Sequence, residues 1–350
     1  MLRMYLMQIW FNLSDEGIED SIYDSYAMRS FMHIDFNEQQ VPDATALLKF
    51  RHTLEANKLG EKFFADVNNR LDKAGLMMHG GTIAGTSLIA APKSTKNQDG
   101  KRDPEMHQTK KVNKWYFGMK VHAGVDAGSG YVHTITCTSA NMHDFSETAN
   151  FIREDDEVVY VDSGYLGAVN QPAIKDDEKK SRIEFRVNRP PFRLKMVDDF
   201  KGLNWDKEME HEKFAVHCKV EHPLLIVKKQ MKYSKAVYRG IAKNMHRFHM
   251  LFASANLLMC SRAGRVMTTR KTGGMLCPYK GFAGRALRLP KYASIASVPT
   301  ANFIGGGVQP STAHRTFCCL ALSSSSLIFI TNFYRKYRLH LLFHSKGKLF

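Results

Sequence analysis

Acidic residues stop at Glu221: positions 222–350 hold 21 Lys and Arg and no Asp or Glu. The whole chain has 50 basic and 34 acidic residues, so positions 1–221 keep 29 basic against 34 acidic. The net charge of +16 therefore comes entirely from the C-terminal part. A balance this lopsided points to a polyanionic partner, and nucleic acid is the usual one. Cysteine is sparse too. Cys137, Cys218, Cys260, Cys277, Cys318 and Cys319 form no C-x-x-C pair, which excludes a disulfide scaffold and fits a reducing compartment. There is no G-x-x-x-x-G-K-[ST] loop for ATP and no G-x-S-x-G elbow for a serine hydrolase. Long apolar runs are also missing. Residues 1–13 are interrupted by Arg3, Gln8 and Asn12 with no cleavage pattern after them. Residues 317–333 are broken by the serines at 323–326 and fall short of the ~20 apolar residues that span a bilayer. Neither a signal peptide nor a membrane segment is expected.

What is present suffices for a buried core, since 44% of the 350 residues are hydrophobic. Ser14 reads as an N-cap for a helix carrying Ile18, Ile22 and Met28. A second helix is expected after Pro42 and Asp43, burying Leu47, Phe50 and Leu54, and a third from about Glu61 with Phe63, Phe64, Val67 and Leu71 inside. At Gly80-Gly81 the period changes. Residues 82–91 read as a strand, 93–114 as a polar, lysine-rich loop, and 115–125 with 131–138 as a hairpin around Asp126-Ala127-Gly128-Ser129-Gly130. Asp144 and Glu147 suggest a capping box for a helix with Phe145, Ala149 and Ile152. Residues 158–161 and 183–187 read as strands, and Ile241, Met245, Phe248, Phe252, Ala255 and Met259 as a long amphipathic helix. This order implies an α/β fold, a mixed sheet flanked by helices and preceded by a small all-helical domain. The expected divisions are a helical domain over 1–78, an α/β domain over 79–262 and a basic, acid-free tail over 263–350 without regular period.

Two carboxylates stand where phosphodiester chemistry could use them. Asp162 closes the apolar strand 158–161 and precedes Gly164, and Glu221 lies between Val220 and His222-Pro223. Hard oxygen ligands of this kind can hold Mg²⁺ ions that activate an attacking oxygen and stabilise a leaving one. Taken alone, a turn or helix-cap aspartate and a solvated first-turn glutamate account for them better. If Pro223 lies in the first turn of a helix, Lys228 falls near the face of Glu221, about 10.5 Å along the axis, placed to hold a DNA phosphate. Arg239, Lys243 and Arg247 are further candidates for DNA contact. A zinc reading of His211, His217, Cys218 and His222 fits no common finger spacing.

The longer segments decide between these readings. Residues 1–24 (MLRMYLMQIWFNLSDEGIEDSIYD), 41–51, 80–138 with STKNQDGKRDPEMHQTKK and WYFGMKVHAGVDAGSG, 158–167, and 219–262 with VEHP and YRGIAKN resemble bacterial transposases of the fifth insertion-sequence family. These are DDE-superfamily proteins with an RNase H-like core. The resemblance implies Asp162 and Glu221 as catalytic metal ligands, two Mg²⁺ (or Mn²⁺) ions, and Lys228 as the lysine of a Glu-x6-Lys pattern. Its implied partners are double-stranded DNA, both insertion-sequence ends and target, with a homo-oligomer in the active state. The implied location is the bacterial cytoplasm at the nucleoid, with no membrane contact.

Two departures count against activity. Where the family reads Val-Asp-Ala-Thr, this chain reads Ala84-Gly85-Thr86-Ser87, so Gly85 stands in the place of the first catalytic Asp. His217 replaces the family's arginine four residues before the Glu. Asp126 in the hairpin turn and Asp99 and Asp103 in the loop are not at the end of the first strand, so none is expected to substitute. The N-terminus is expected to begin inside the helical domain and the tail after 262 to match nothing in the family, as in a decayed gene copy. The expectation is a transposase without activity, or else a non-catalytic DNA-binding remnant.

Overall fold

The computed structural model describes residues 1–96, 100–111, 113–189 and 205–269, the side chains of 205–207 and 264–269 excepted. Five helices lead the chain: α1 (Leu2–Phe11), α2 (Asp15–Asp24), α3 (Tyr26–Met32), α4 (Ala44–Ala56) and α5 (Leu59–Lys73). Ser14 accepts the Gly17 amide and Asp43 accepts the Ala46 amide, so α2 and α4 start at the caps the sequence offers. The helix expected to run through Ile18, Ile22 and Met28 is two helices. Ser25 ends α2 and caps α3 by accepting the Met28 amide. α1 is an addition to the sequence reading. It is buried on nearly every side, and a helix apolar all round has no amphipathic period to detect.

The sheet contains β1 (Thr82–Ala90), β2 (His107–Lys111), β3 (Lys114–Asp126), β4 (Val132–Ser139), β5 (Val158–Val161) and β6 (Glu184–Val187). Its order is β2-β3-β1-β5-β6, with β4 also on β3. β1 sits centrally, antiparallel to β3 with Gly85 opposite Ala123, and parallel to β5. β2 corrects the expected loop over 93–114. Its residues HQTKK show no apolar alternation because this edge strand pairs through backbone alone and leaves its side chains largely exposed. The expected capping-box helix is also corrected. Residues Asp144–Glu147 form a 3₁₀ turn ahead of the short α6 (Thr148–Phe151), and the Asp144 carboxylate pairs with Lys120 at 2.9 Å instead of capping.

After the short α7 (Pro172–Lys175) come α8 (Trp205–Leu225) and α9 (Ile241–Thr269), with α8 lying on β1, β3 and β5 and α9 on β4, α5 and α1. One continuous apolar core runs from Leu2 to Leu258 and includes side chains of both the helical region and the sheet. Buried Asn256 of α9 stitches the layers together, accepting the Val132 amide at 3.0 Å and donating to the Val132 carbonyl at 2.8 Å. α9 continues past Arg262 to Thr269. The rest of the expected tail, 270–350, and Asp99 lie outside the described residues. Among the described residues no helix is long and apolar enough to cross a membrane.

Arg153 ties the strand entries together. Its guanidinium donates to Asp126 and Asp156, both at 3.0 Å and both with fully buried carboxylates, and to the Gly81 carbonyl at 3.2 Å. Burial pushes the Asp126 carboxyl up. Bonds from the Ser129 hydroxyl and amide and from Arg153 outweigh that and hold it below the usual carboxylate range. Arg153→Met leaves two buried carboxylates without their counter-ion, and urea unfolding near neutral pH should show a loss of about 3–5 kcal/mol. Because the folded Asp126 pKa is depressed, its contribution is complete above the unfolded value of about 3.9 and disappears as pH falls through the folded one. Asp126→Asn should therefore flatten the acid limb of the stability profile.

Candidate active site

The β1–β5 register decides what meets at the sheet centre. Thr82 is level with Val159 and Ile83 with Tyr160. Carried on by two residues, that register sets Gly85 level with Asp162, on strands about 4.8 Å apart. Ala84, Val159 and Val161 point to the smaller apolar cluster with Phe151 and Tyr165, while Ile83 and Tyr160 belong to the main core. By alternation Gly85 faces that main core, beneath α8. Asp162 is exposed, and its carboxylate accepts the Ser163 amide at 2.6 Å. Three residues on, the Tyr165 hydroxyl bonds Thr86 Oγ1 at 2.7 Å, so the turn bearing Asp162 is fastened to β1 beside Gly85.

The helix that carries Glu221, α8, lies over the same strand. Lys219 Nζ donates to the Ala127 carbonyl at 2.6 Å, and Glu210 accepts the Arg189 amide at 2.9 Å, pinning the helix to the hairpin turn and to the chain beyond β6. Val220 then rests on Gly85. A Cβ built on Gly85 would lie 2.5 Å from Val220 Cγ2 and 2.8 Å from Cγ1, closer than atoms can approach. Glu221 is the next residue and is exposed. It stands in the last turn of α8, not the first, with Pro223 inside the helix. Proline has no amide to give the Lys219 carbonyl, and the chain leaves α8 through a π-helical turn, Ile226–Gln230, that holds a half-buried Lys228. Glu221 and Lys228 therefore do not share one unbroken α-helical face. His217, one turn before Glu221, is half-buried, and its Nε2 is buried with no hydrogen-bond partner among the described residues.

Residues 85–257 match the transposase DDE domain family, and residues 1–53 match a transposase domain (DUF772). Over 85–257, just under half of the chain, the sequence is similar to that DDE domain. Together the two matches support an insertion-sequence transposase, and the DDE match spans Gly85, Asp162 and Glu221. No solved structure matches the chain.

DDE transposases generally use divalent metal ions. The described residues of the matched segment do not gather a two-ion centre. Asp162 and Glu221 offer exposed carboxylates, and Val220 is seated on Gly85. Among the described residues no three His, Cys, Asp or Glu side chains gather as a metal-holding group, and His211, His217, Cys218 and His222 are not such a group either. Two other carboxylates near the sheet are engaged. Asp126 lies in the Arg153 network, and Asp103 accepts the Gly240 amide at 2.6 Å. Of the basic candidates, Arg239 and Lys243 are exposed, whereas Arg247 is 1% exposed. Its guanidinium bonds the Tyr238 hydroxyl and Asn12 Oδ1 and lies over the Tyr233 and Tyr238 rings, so it faces the helical layer and not a ligand. Counting charge along the chain could not find this. The 3.6-residue period could, because Arg247 falls next to Phe248 on the buried side of α9.

Since Gly85 has no positive φ, only contact with Val220 opposes a side chain there. Gly85→Ala should lower stability by about 1–3 kcal/mol through overpacking. Adding Val220→Ala should cost less in that background than in the parent, a non-additivity that thermal or urea unfolding of the four proteins would measure. Equal costs in both backgrounds would remove the contact from the argument.

Proposed function

We propose that this chain is an insertion-sequence transposase with an RNase H-like core whose cutting centre has lost one carboxylate, leaving a DNA-binding protein without strand-cleaving activity. The reading rests on one observation: Val220 of α8 is packed against Gly85 of the central strand β1, whose register with β5, carried on by two residues, leads to Asp162. A mixed sheet with an antiparallel hairpin on one side of β1 and two parallel strands on the other supports the RNase H-like assignment. Asp162 and Glu221 are the two remaining catalytic candidates. Two metal ions held a fixed distance apart need shared ligands between them, and β1 offers backbone where a bridging carboxylate belongs. DNA contact is carried by phosphates, with Lys228, Arg239 and Lys243 as contributors and Arg247 as a structural residue. Affinity for duplex DNA should accordingly fall steeply with added salt.

The activity test is cleavage of supercoiled DNA carrying element ends, with Mg²⁺ or Mn²⁺. The unaltered chain should give no cleavage above background. Gly85→Asp alone should also fail, because the new side chain meets Val220; Gly85→Asp with Val220→Ala removes that obstacle. Adding His217→Arg should raise recovered cleavage further, since arginine restores a permanently charged, planar fork of donors that an imidazole does not offer. Robust cleavage by the unaltered chain, abolished by Asp162→Ala, would overturn the claim of inactivity.

A further inference from the structure

The outer end of the β2–β3 hairpin carries a feature that the cutting centre does not use. Trp115, at the start of β3, is 61% exposed, although Phe117, Met119, Val121, Ala123 and Val125 of the same row are buried. Lys110 is its direct cross-strand partner, and Lys111 pairs with Lys114. Lys228 and Lys229 of the π-helical turn adjoin this end: burial, together with the charges of Lys111 and Lys229, holds the Lys228 ammonium below the ordinary lysine range. Among the described residues none of these five lysines has a carboxylate within ion-pair distance. Lysines on an edge strand are ordinary protection against edge-to-edge pairing. Trp115 is not, since a bare indole on an edge invites the association that the lysines discourage.

We infer that this hairpin end is a nucleic-acid contact in which the lysines hold phosphates and Trp115 stacks on an unpaired base. The inference deepens the DNA-binding reading above and rests on it. A basic surface interleaved with an exposed aromatic ring is how single-stranded or frayed nucleic acid is held, because every base offers a π-face and every linkage a charge. The position suits DNA that also reaches Gly85. Trp115 is eight residues along β3 from Ala123, which lies opposite Gly85, roughly 26 Å at ~3.3 Å per residue.

The test uses the full chain with a short oligo(dT), a blunt duplex of equal length, and heparin as a base-free polyanion. Emission of the parent minus that of Trp115→Phe isolates the Trp115 signal, since Trp10 and Trp205 are common to both. Oligo(dT) should quench that signal and heparin should not. Trp115→Ala should weaken oligo(dT) binding by about tenfold with heparin binding unchanged, while Trp115→Phe, which keeps a ring, retains most of the affinity and controls for folding. Oligo(dT) that binds without changing Trp115 emission, or equal quenching by heparin, would overturn the stacking role while leaving DNA binding intact. A Trp115 signal that is shielded from acrylamide, or that changes with protein concentration in the absence of DNA, would assign the indole to a protein contact and overturn it as well. A chain that binds neither DNA at any salt would sink the DNA-binding reading together with this one.

Discussion

The guanidinium of Arg153 meets the Gly81 carbonyl at the entry to β1, Asp126 at the end of β3 and Asp156 ahead of β5, and the alignment of three strands follows from that contact. Two buried carboxylates sharing one arginine leave a charge to be met by hydrogen bonds. Ser129 supplies its amide and hydroxyl to Asp126, and Thr82 its hydroxyl to Asp156. Gly81 allows the crossing. Its φ is +108°, and a Cβ there would lie 2.4 Å from the Val158 carbonyl oxygen, so no other residue fits between β1 and β5. With the entries fixed, pairing in step carries Gly85 to Ala123 on one side and level with Asp162 on the other. A slip by one residue would turn Gly85 to the opposite face, away from α8.

Features written in local chemistry were legible from the residues alone. Ser14 and Asp43 cap the helices expected of them, the run at 158–161 is β5 to the residue, and the Asp126 turn joins β3 to β4. What escaped depends on partners distant in sequence. β2 is a strand only because β3 lies beside it. Asp144 has the spacing of a cap, yet its carboxylate is claimed by Lys120 from another element. Pro223 predicts a helix start by its usual preference, but the packing of α8 on the sheet carries the helix through it at the cost of a π turn. For the site, the sequence pointed to Gly85, Asp162 and Glu221 through resemblance. It gave no sign of Val220 closing on Gly85, because nothing local to either residue encodes a contact across 135 positions.

That contact changes what the missing carboxylate of the proposed reading would mean. A vacancy left by aspartate would be a polar, roomy gap, open to water and repaired by returning the side chain. Here the space is filled by a branched apolar side chain whose backbone is held by Lys219 on one side and Glu210 further along α8. Val220 also lies in the main core, 1% exposed, so moving it disturbs packing well beyond the site. Interiors of this density respond to volume changes of a methylene. Loss of one catalytic group and settling of the helix that bears another are, on the proposed reading, a single structural change.

Cutting and holding DNA then separate by electrostatics. Without bound metal, the carboxylates of an intact centre repel the phosphates that the surrounding lysines attract. Each carboxylate–phosphate pair about 10 Å apart in water opposes binding by about 0.4 kcal/mol. On the proposed reading, Gly85 in place of the first aspartate takes the carboxylate charge of the centre from −3 to −2, while Lys228, Lys229 and the hairpin lysines are untouched. Metal affinity, which depends on those carboxylates acting together, falls sharply. DNA affinity, which depends on the sum of many screened contacts, is unchanged or gains slightly. The proposed remnant is therefore not a weakened transposase in every respect: the change that disables chemistry leaves its hold on DNA in place, and such a chain would compete for the same ends as an intact enzyme.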